Sequence, residues 1–307
     1  MSIIVVGSTA FDDIETPKGK RTRILGGSCI YFSLAASFKS QSKIVSVVGQ
    51  DFPKNIFLKL NKKKIQTEGL VIKKGKTFSW GGVYKTISED PETRFTNLNV
   101  FQDFQPEIPN SYKKNNKILF LANIDPDLQN KILDDSSTNK FIGLDTMNFW
   151  ISSKRRSLFK AIQRVDLLTI NELELKLITN KDSLEKAFSD IFKKFKIKYL
   201  IVKRGSAGSM LVSRRSFHWI PSYPFVNLVD PTGAGDSFAG ALFSHLSKRN
   251  SITEKDIIDG MIYGSAMSSF TIESFGTERL FKLSLKELER RHKKLRRIAR
   301  GNRKNCK

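Results

Sequence analysis

The chain has 307 residues, 39% of them hydrophobic, and carries 53 Lys or Arg against 30 Asp or Glu, a formal net charge of +23. That length suits one large or two smaller domains, and with no apolar run of about 18 residues a membrane-spanning helix is excluded. Cys29 and Cys306 are too few for a disulfide framework, and the short N-terminal apolar stretch lacks the basic region of a secretory signal, so a reducing cytoplasm is the expected setting.

In chain order, Ile3-Ile4-Val5-Val6 reads as a buried strand ending in Gly7-Ser8, with Asp12 and Asp13 just beyond. A carboxylate only accepts, so either Asp can take two neighbouring hydroxyls at once. Gly26-Gly27-Ser28 opens a helix whose Leu34, Ala35 and Phe38 face a core, and a glycine pair admits a ligand close to the backbone. Tyr31 stands four residues after Gly27, where a phenol can stack or donate one hydrogen bond. Val47-Val48-Gly49-Gln50-Asp51 is a second strand end with its turn. From Thr77 to Tyr84 the pattern alternates, placing Phe78, Trp80 and Tyr84 on one strand face. Ser88 to Glu92 is a turn, and Thr93 to Val100 returns as another strand. Tyr31, Trp80, Phe101 and Phe104 are either local core or stacking partners for a flat ligand, while Lys85 and Arg94 suit a phosphate. Asn123, Asp125, Asn148 and Trp150 follow strand-like runs and are candidates to line a pocket.

After the apolar run Val165 to Ile170 comes Asn171-Glu172-Leu173-Glu174, which alone is a helix cap with acids in the first turn. Tyr199 to Val202 is a further strand, followed by Lys203-Arg204-Gly205. The most informative stretch is Val229-Asp230-Pro231-Thr232-Gly233-Ala234-Gly235-Asp236, behind a strand-like run from Phe225 to Val229. Beyond Asp236 the spacing of Phe238, Ala239, Leu242, Phe243 and Leu246 is helical. Locally this is either a glycine turn with a first-turn Asp or an anion cradle of bare N–H groups that holds an acid. The second arrangement suits moving a phosphoryl group onto a hydroxyl. Residues 286–307 hold eleven Lys or Arg against Glu287 and Glu289. Leu285, Leu288, Leu295 and Ala299 make this an amphipathic helix with a basic outer face, either simply solvated or a surface for nucleic acid or an anionic membrane. Strands alternating with helical stretches, without a linker or repeat, point to one parallel sheet covered on both faces.

From Ile3 to about Gly276 these landmarks, in this order, resemble the ribokinase-like (PfkB) family of carbohydrate and nucleoside kinases. The resemblance implies an α/β fold, a central mostly parallel sheet with helices on both faces plus a small β lid. It implies a kinase domain over residues 1–280, lid elements at about 9–25 and 77–104, and a basic helix and tail over 281–307. By resemblance the Gly233, Ala234 and Gly235 amides form the anion hole and Asp236 is the base that takes the acceptor hydroxyl proton. Asp12, Gly26, Gly27 and Tyr31 fall at substrate-binding positions. Asn171, Lys203, Gly205 and Thr232 fall near the nucleotide, and Asn171, Glu174 and Asp230 near metal ions. ATP and Mg²⁺ are the implied cofactors, with K⁺ at the Asp230 loop, and Ser268 to Gly276 flanks the adenine pocket. A helix N-terminus lowers a carboxyl's pKa, so Asp236 is expected to be a weak base. That is adequate if the proton leaves late in a loose transition state.

Many members carry Asn where this chain has Tyr31, a departure that leaves the chemistry intact but weakens the case for ribose or another common sugar. The resemblance implies transfer of the γ-phosphoryl group of ATP to a hydroxyl of a sugar or sugar-like substrate, with a nucleoside, then a sugar phosphate, as the alternatives. Pairing of two chains through the lid edge is left open, and nucleic acid is a minor alternative partner for the basic tail. A retired kinase fold acting through that tail is opposed by the intact Asp236 and Gly-Ala-Gly. A Rossmann oxidoreductase is opposed by Gly7-Ser8-Thr9-Ala10-Phe11, where G-x-G-x-x-G is needed.

Overall fold

The N-terminal aliphatic run forms β1 (Ser2–Val6), and all five of its residues are buried, as a strand covered on both faces requires. The computed structural model describes residues 2–86, 91–114, 116–136 and 141–301. Twelve further strands follow in these residues: β2 (Ala10–Thr16), β3 (Gly19–Gly26), β4 (Gln41–Gly49), β5 (Ile65–Lys73), β6 (Phe78–Val83) and β7 (Glu92–Asn97) in the first part of the chain. The rest are β8 (Asn116–Leu121), β9 (Phe141–Asp145), β10 (Leu167–Asn171), β11 (Tyr199–Lys203), β12 (Ser209–Val212) and β13 (Phe217–Ile220).

Nine strands form one sheet in the order β13-β12-β11-β10-β9-β8-β1-β4-β5, parallel except where β12 and β13 are added antiparallel at one end. The chain builds outward from β1 through β4 to β5, then returns to the other flank of β1 with β8. The order therefore reverses between β1 and β8, the place where open α/β sheets carry a crevice beyond the carboxyl ends of their strands. A second sheet, β3-β2-β6-β7, forms the lid beside that crevice. The lid is tied down where Thr16 Oγ1 donates to Val229 O at 3.0 Å. Its outer strands carry Lys20, Arg21 and Arg23 on β3 and Glu92 and Arg94 on β7, charges that discourage uncontrolled edge pairing.

Several expected elements end differently. The second lid strand stops at Asn97 rather than Val100, because Asn99 adopts a left-handed φ of 50° and its side chain donates to Thr77 O at 2.9 Å. Phe78 does not share a cluster with Trp80 and Tyr84: it packs on Phe101 at 5.6 Å, whereas Trp80 and Tyr84 gather with Ile14 and Phe275. Phe101 and Phe104 are buried core residues whose tilted rings meet at 5.3 Å, so they are not free to stack on a ligand. The run Phe225 to Val229 is loop, not strand; β13 ends at Ile220, Pro221 and Pro224 remove backbone donors, and Phe225 is 65% exposed. The turn at Ser88 to Asp90, Cys306 and the last residues of the tail lie outside the described residues.

Beneath the crevice the sheet and two helices share an aromatic core. Phe32 of the Ser28–Ala36 helix stacks on Phe120 of β8 at 4.6 Å, and Phe120 meets Phe243 of the Ala234–Leu246 helix at 4.8 Å. Gly240 allows this, since a Cβ there would collide with the Phe32 carbonyl oxygen. The Leu285–Gly301 helix buries Leu288 and Leu295 completely against the same core, while Leu285 is 46% exposed and does not belong to the buried face. Its inward Arg291 lies over the Phe270 ring at 3.4 Å and pairs with Glu273 at 2.8 Å, leaving Lys286, Arg290, Lys293, Lys294, Arg297 and Arg300 exposed. Among the described residues no helix is long and apolar enough to cross a membrane. Gly240→Ala should force the two helices apart and cost about 1–3 kcal/mol, as overpacking does. Urea denaturation would read this as a lower midpoint with an unchanged slope.

Candidate active site

The stretch from Asp230 to Asp236 makes the floor of the crevice. Gly233 takes φ 73° as the N-cap of the Ala234–Leu246 helix, and a Cβ there would strike the Tyr31 ring. Both facts demand glycine. Ser237 N–H already bonds Gly233 O at 2.9 Å, and Ala234 N–H is committed to Pro231 O at 3.2 Å. Among the described residues, the N–H groups of Gly233, Gly235 and Asp236 have no partner within the protein. These three N–H groups are therefore open to a ligand, whereas the Ala234 N–H is engaged in the tight turn after Pro231.

Asp236 sits half-buried in that first turn. Contrary to the helix-terminus expectation, its pKa is raised to about 7: desolvation dominates, Asp145 adds repulsion, and Lys203 only partly offsets both. Across the crevice Asp12, on β2, is 4% exposed and its pKa is raised to about 8, by burial first, then by Asp230, Asp236 and Asp13, against the Gly27 N–H. Gly26 is needed for Asp12 itself, because a Cβ would overlap the carboxylate, and Gly27, at φ 94°, clears the Ser8–Ala10 backbone. Asp13 is not the equivalent of Asp12: it points away and accepts from Arg23 N–H at 2.7 Å.

Two strand ends supply the remaining charge. Lys203, at the end of β11, donates to Asp145 Oδ2 at 2.8 Å, and Asp145, at the end of β9, also accepts from Thr146 N–H at 2.9 Å. Burial opposes the Lys203 charge, yet Asp145, Glu174 and Asp236 together hold its pKa above the ordinary value. Asp145 escaped the sequence reading. Its only signal was an apolar run, Phe141-Ile142-Gly143-Leu144, ending in a carboxylate.

Asn171 and Glu174 form a complete capping box: Asn171 Oδ1 accepts from Glu174 N–H and Glu174 Oε2 from Asn171 N–H, each at 2.7 Å. Asp230 accepts from Thr232 N–H and from Gly276 N–H at 2.9 Å each, joining two loops. Tyr84, from the lid, reaches Thr232 Oγ1 at 3.0 Å. Gly205 opens a short 3₁₀ turn with open space where a side chain would be. Tyr31 is 1% exposed; its hydroxyl has no partner among the described residues, and burial with Asp12, Asp230, Tyr84 and Asp236 nearby pushes its pKa well up. Lys85 and Arg94 already face Glu92 and Glu15 at 2.7 and 2.8 Å on the lid surface, so the phosphate role read for them loses its motive. Asp125 likewise caps a helix and pairs with Lys154 at 2.6 Å. Cys29 is buried, as expected. No group of three or more His, Cys, Asp or Glu suited to a metal ion occurs among the described residues.

A family model described as pfkB family carbohydrate kinase matches residues 21–282. A cytidine kinase of Thermococcus kodakarensis is 28% identical over 262 residues, 83% of this chain and 91% of the relative. The crystal structure of the nucleoside kinase of Methanocaldococcus jannaschii, an archaeal member of the ribokinase family, matches with a TM-score of 0.76 at 21% identity, over 95% of this chain and 98% of that one. A fructokinase of Vibrio cholerae O395, crystallised with fructose, ADP and a calcium ion, matches with a TM-score of 0.75 at 17% identity, over 91% and 95% of the two chains. At these identities the two structures establish the fold.

Raised carboxyl pKa values are a cost to the folded state. A buried acid of this kind favours folding fully below its unfolded pKa near 3.8 and loses that contribution as pH rises through 7 to 8. Asp236→Asn and Asp12→Asn should therefore match the wild type in thermal stability at pH 4 and exceed it increasingly up to pH 8.5. Melting curves of the free protein across that range provide the check, and a constant gap would refute the linkage.

Proposed function

The chain belongs to the pfkB family of carbohydrate kinases and is a kinase with a sugar or nucleoside hydroxyl as acceptor; on that premise we propose that it transfers the γ-phosphoryl group of ATP to a nucleoside. The observation that carries the chemistry is Asp236: a carboxyl with a pKa near 7 set among three unpartnered helix N–H groups. The nucleoside reading is supported by the cytidine kinase relative, which matches along most of both chains.

In this reading Asp12 holds the acceptor through its hydroxyls. Because its pKa is about 8, it carries its proton near neutrality and both donates and accepts. Asp236 takes the proton from the attacking hydroxyl as the new O–P bond forms in line with the departing ADP. Its pKa near the working pH suits a general base better than an ordinary Asp would. The N–H groups of Gly233, Gly235 and Asp236 meet the charge on the moving phosphoryl, in a site where electrostatics and positioning dominate. Thr232, held by Tyr84, links lid position to this cradle, and a closed lid keeps water from competing as acceptor. Lys203 and Gly205 lie on the nucleotide side.

Mg²⁺ bound with ATP supplies neutralisation of the phosphate oxygens. Asn171 and Glu174 offer hard oxygen donors of the type Mg²⁺ takes and would hold it largely through its water shell, which needs few protein carboxylates. Asp230, with both oxygens on backbone N–H groups, fits a loop-bracing role beside a K⁺ site.

The test is a phosphoryl-transfer screen of the full chain with ATP, Mg²⁺ and K⁺ against nucleosides, free sugars, polyols and sugar phosphates. Cytidine or a related nucleoside should be the best acceptor, and kcat/KM should fall below about pH 7 as Asp236 gains its proton. Asp236→Asn should lower kcat by about 100-fold or more, the scale of general-base loss, while ATP binding changes little. Near-normal turnover in that variant would remove Asp236 from the mechanism, and a sugar outrunning every nucleoside would overturn the acceptor class.

A further inference from the structure

Lys203 and Asp145 end β11 and β9, with β10 between them, so their side chains lean across a strand to meet. They do so at 2.8 Å with the carboxylate side chain 5% and the lysine side chain 20% exposed. The same Nζ lies 3.1 Å from the point a Cβ on Gly235 would occupy, so the ammonium rests against the first turn of the cradle helix. A methyl group on Gly235 would crowd the Nζ, which would have to yield by a few tenths of an ångström.

From this geometry we infer that Asp145 is a positioning residue for Lys203: it holds the ammonium against Gly235, where the charge serves the phosphoryl in transfer, and keeps it from closing onto Asp236. The inference rests on the reading of Asp236 as base. A lysine without Asp145 would be left with Glu174 and then Asp236 as the carboxylates that act on it. An ammonium paired with Asp236 would drive its pKa down and quench it as a base. The groups that face Asp236 are Lys203 from β11, Asp145 from β9, Asp12 from β2, and Tyr31 and Cys29 from the Ser28–Ala36 helix. Among them Lys203 is the one cation, and Asp145 is its hydrogen-bond partner. Removing Asp145 therefore takes a negative neighbour from Asp236 and releases a positive one towards it; both changes act in the same direction.

Lys203→Met alone leaves Asp145 buried without its counter-ion and is apt to unfold the chain, so the test uses Asp145→Asn and the double variant Asp145→Asn/Lys203→Met. pH–rate profiles would be taken with the acceptor found in the screen. Thermal shifts with MgATP would be read in parallel, with Asp236→Asn alongside. Asp145→Asn should move the acidic limb of kcat/KM to lower pH by about one unit or more. The double variant, with both charges gone, should melt close to the wild type yet remain about 100-fold down in kcat, since the cradle lacks its cation. A purely structural pair would recover kcat together with stability in the double variant, and that result overturns the inference, as does an unmoved limb in Asp145→Asn. If Asp236→Asn keeps its turnover, the base reading itself has failed. The MgATP shift, which needs neither base nor acceptor, then decides: its loss in the double variant alone upholds the lysine's place at the cradle, and an unchanged shift ends it.

Discussion

Asp12, Asp145 and Asp230 are buried and Asp236 half-buried around one crevice, and Lys203 is the ammonium that answers Asp145 and Asp236. Isolated carboxylates cannot stay ionised in such surroundings without hydrogen bonds or counter-charge, and each is treated differently. Asp230 spends both oxygens on backbone N–H groups of two loops. Asp145 has Thr146 N–H and the lysine. Asp12 has the Gly27 N–H against three acidic neighbours. Asp236 receives least, and its proton affinity rises into the neutral range. The helix dipole is present, but its benefit of roughly 0.3–1 kcal/mol is smaller than the desolvation it opposes. The sharing of donors is unequal: Asp145 and Asp230 each hold two, and Asp12 and Asp236 fewer.

The acidic interior contrasts with the chain's net charge of +23. An excess of surface Lys and Arg draws anions such as ATP towards a crevice whose own carboxylates would repel them. The basic C-terminal helix contributes to that field while Leu288 and Leu295 lock it to the core beneath the site. Its inward Arg291 is already taken by Glu273 and Phe270. Charge at that helix is thus divided between a neutralised inner face and a solvated outer one.

What could be read from the sequence was whatever is decided within a few residues. β1, the Gly26-Gly27 helix entry, the Asn171 cap and the cradle at Gly233 announce themselves because turn and capping chemistry is local. Asp145 did not, since its meaning depends on Lys203, 58 residues away and two strands across the sheet. Nothing local separates it from any carboxylate that ends a strand. The acidity of Asp236 was misjudged for the same reason: the dipole is visible in sequence, the desolvation and the Asp145 charge are not. Phe101 and Phe104 were open to a ligand role because their spacing does not tell a core stack from a pocket wall. Phe225 to Val229 looked like a strand by composition, but Pro224 precedes it and its Val229 N–H bonds Ile272 O rather than a neighbouring strand.

Tyr31 joins these threads. Its ring lies where a Gly233 side chain would have to go, so the cradle's left-handed turn is walled by an aromatic face rather than by an amide. Its hydroxyl is buried without a partner among the described residues, an arrangement that costs about 1–3 kcal/mol in a settled interior. Such a cost is tolerable in a crevice whose missing hydrogen bonds belong to a bound molecule. Burial, with Asp12, Asp230, Tyr84 and Asp236 nearby, keeps the phenol protonated, so it enters that crevice as a donor among groups that mostly accept. On the proposed reading, the side chain that walls the cradle therefore also selects an acceptor that offers a lone pair at that point.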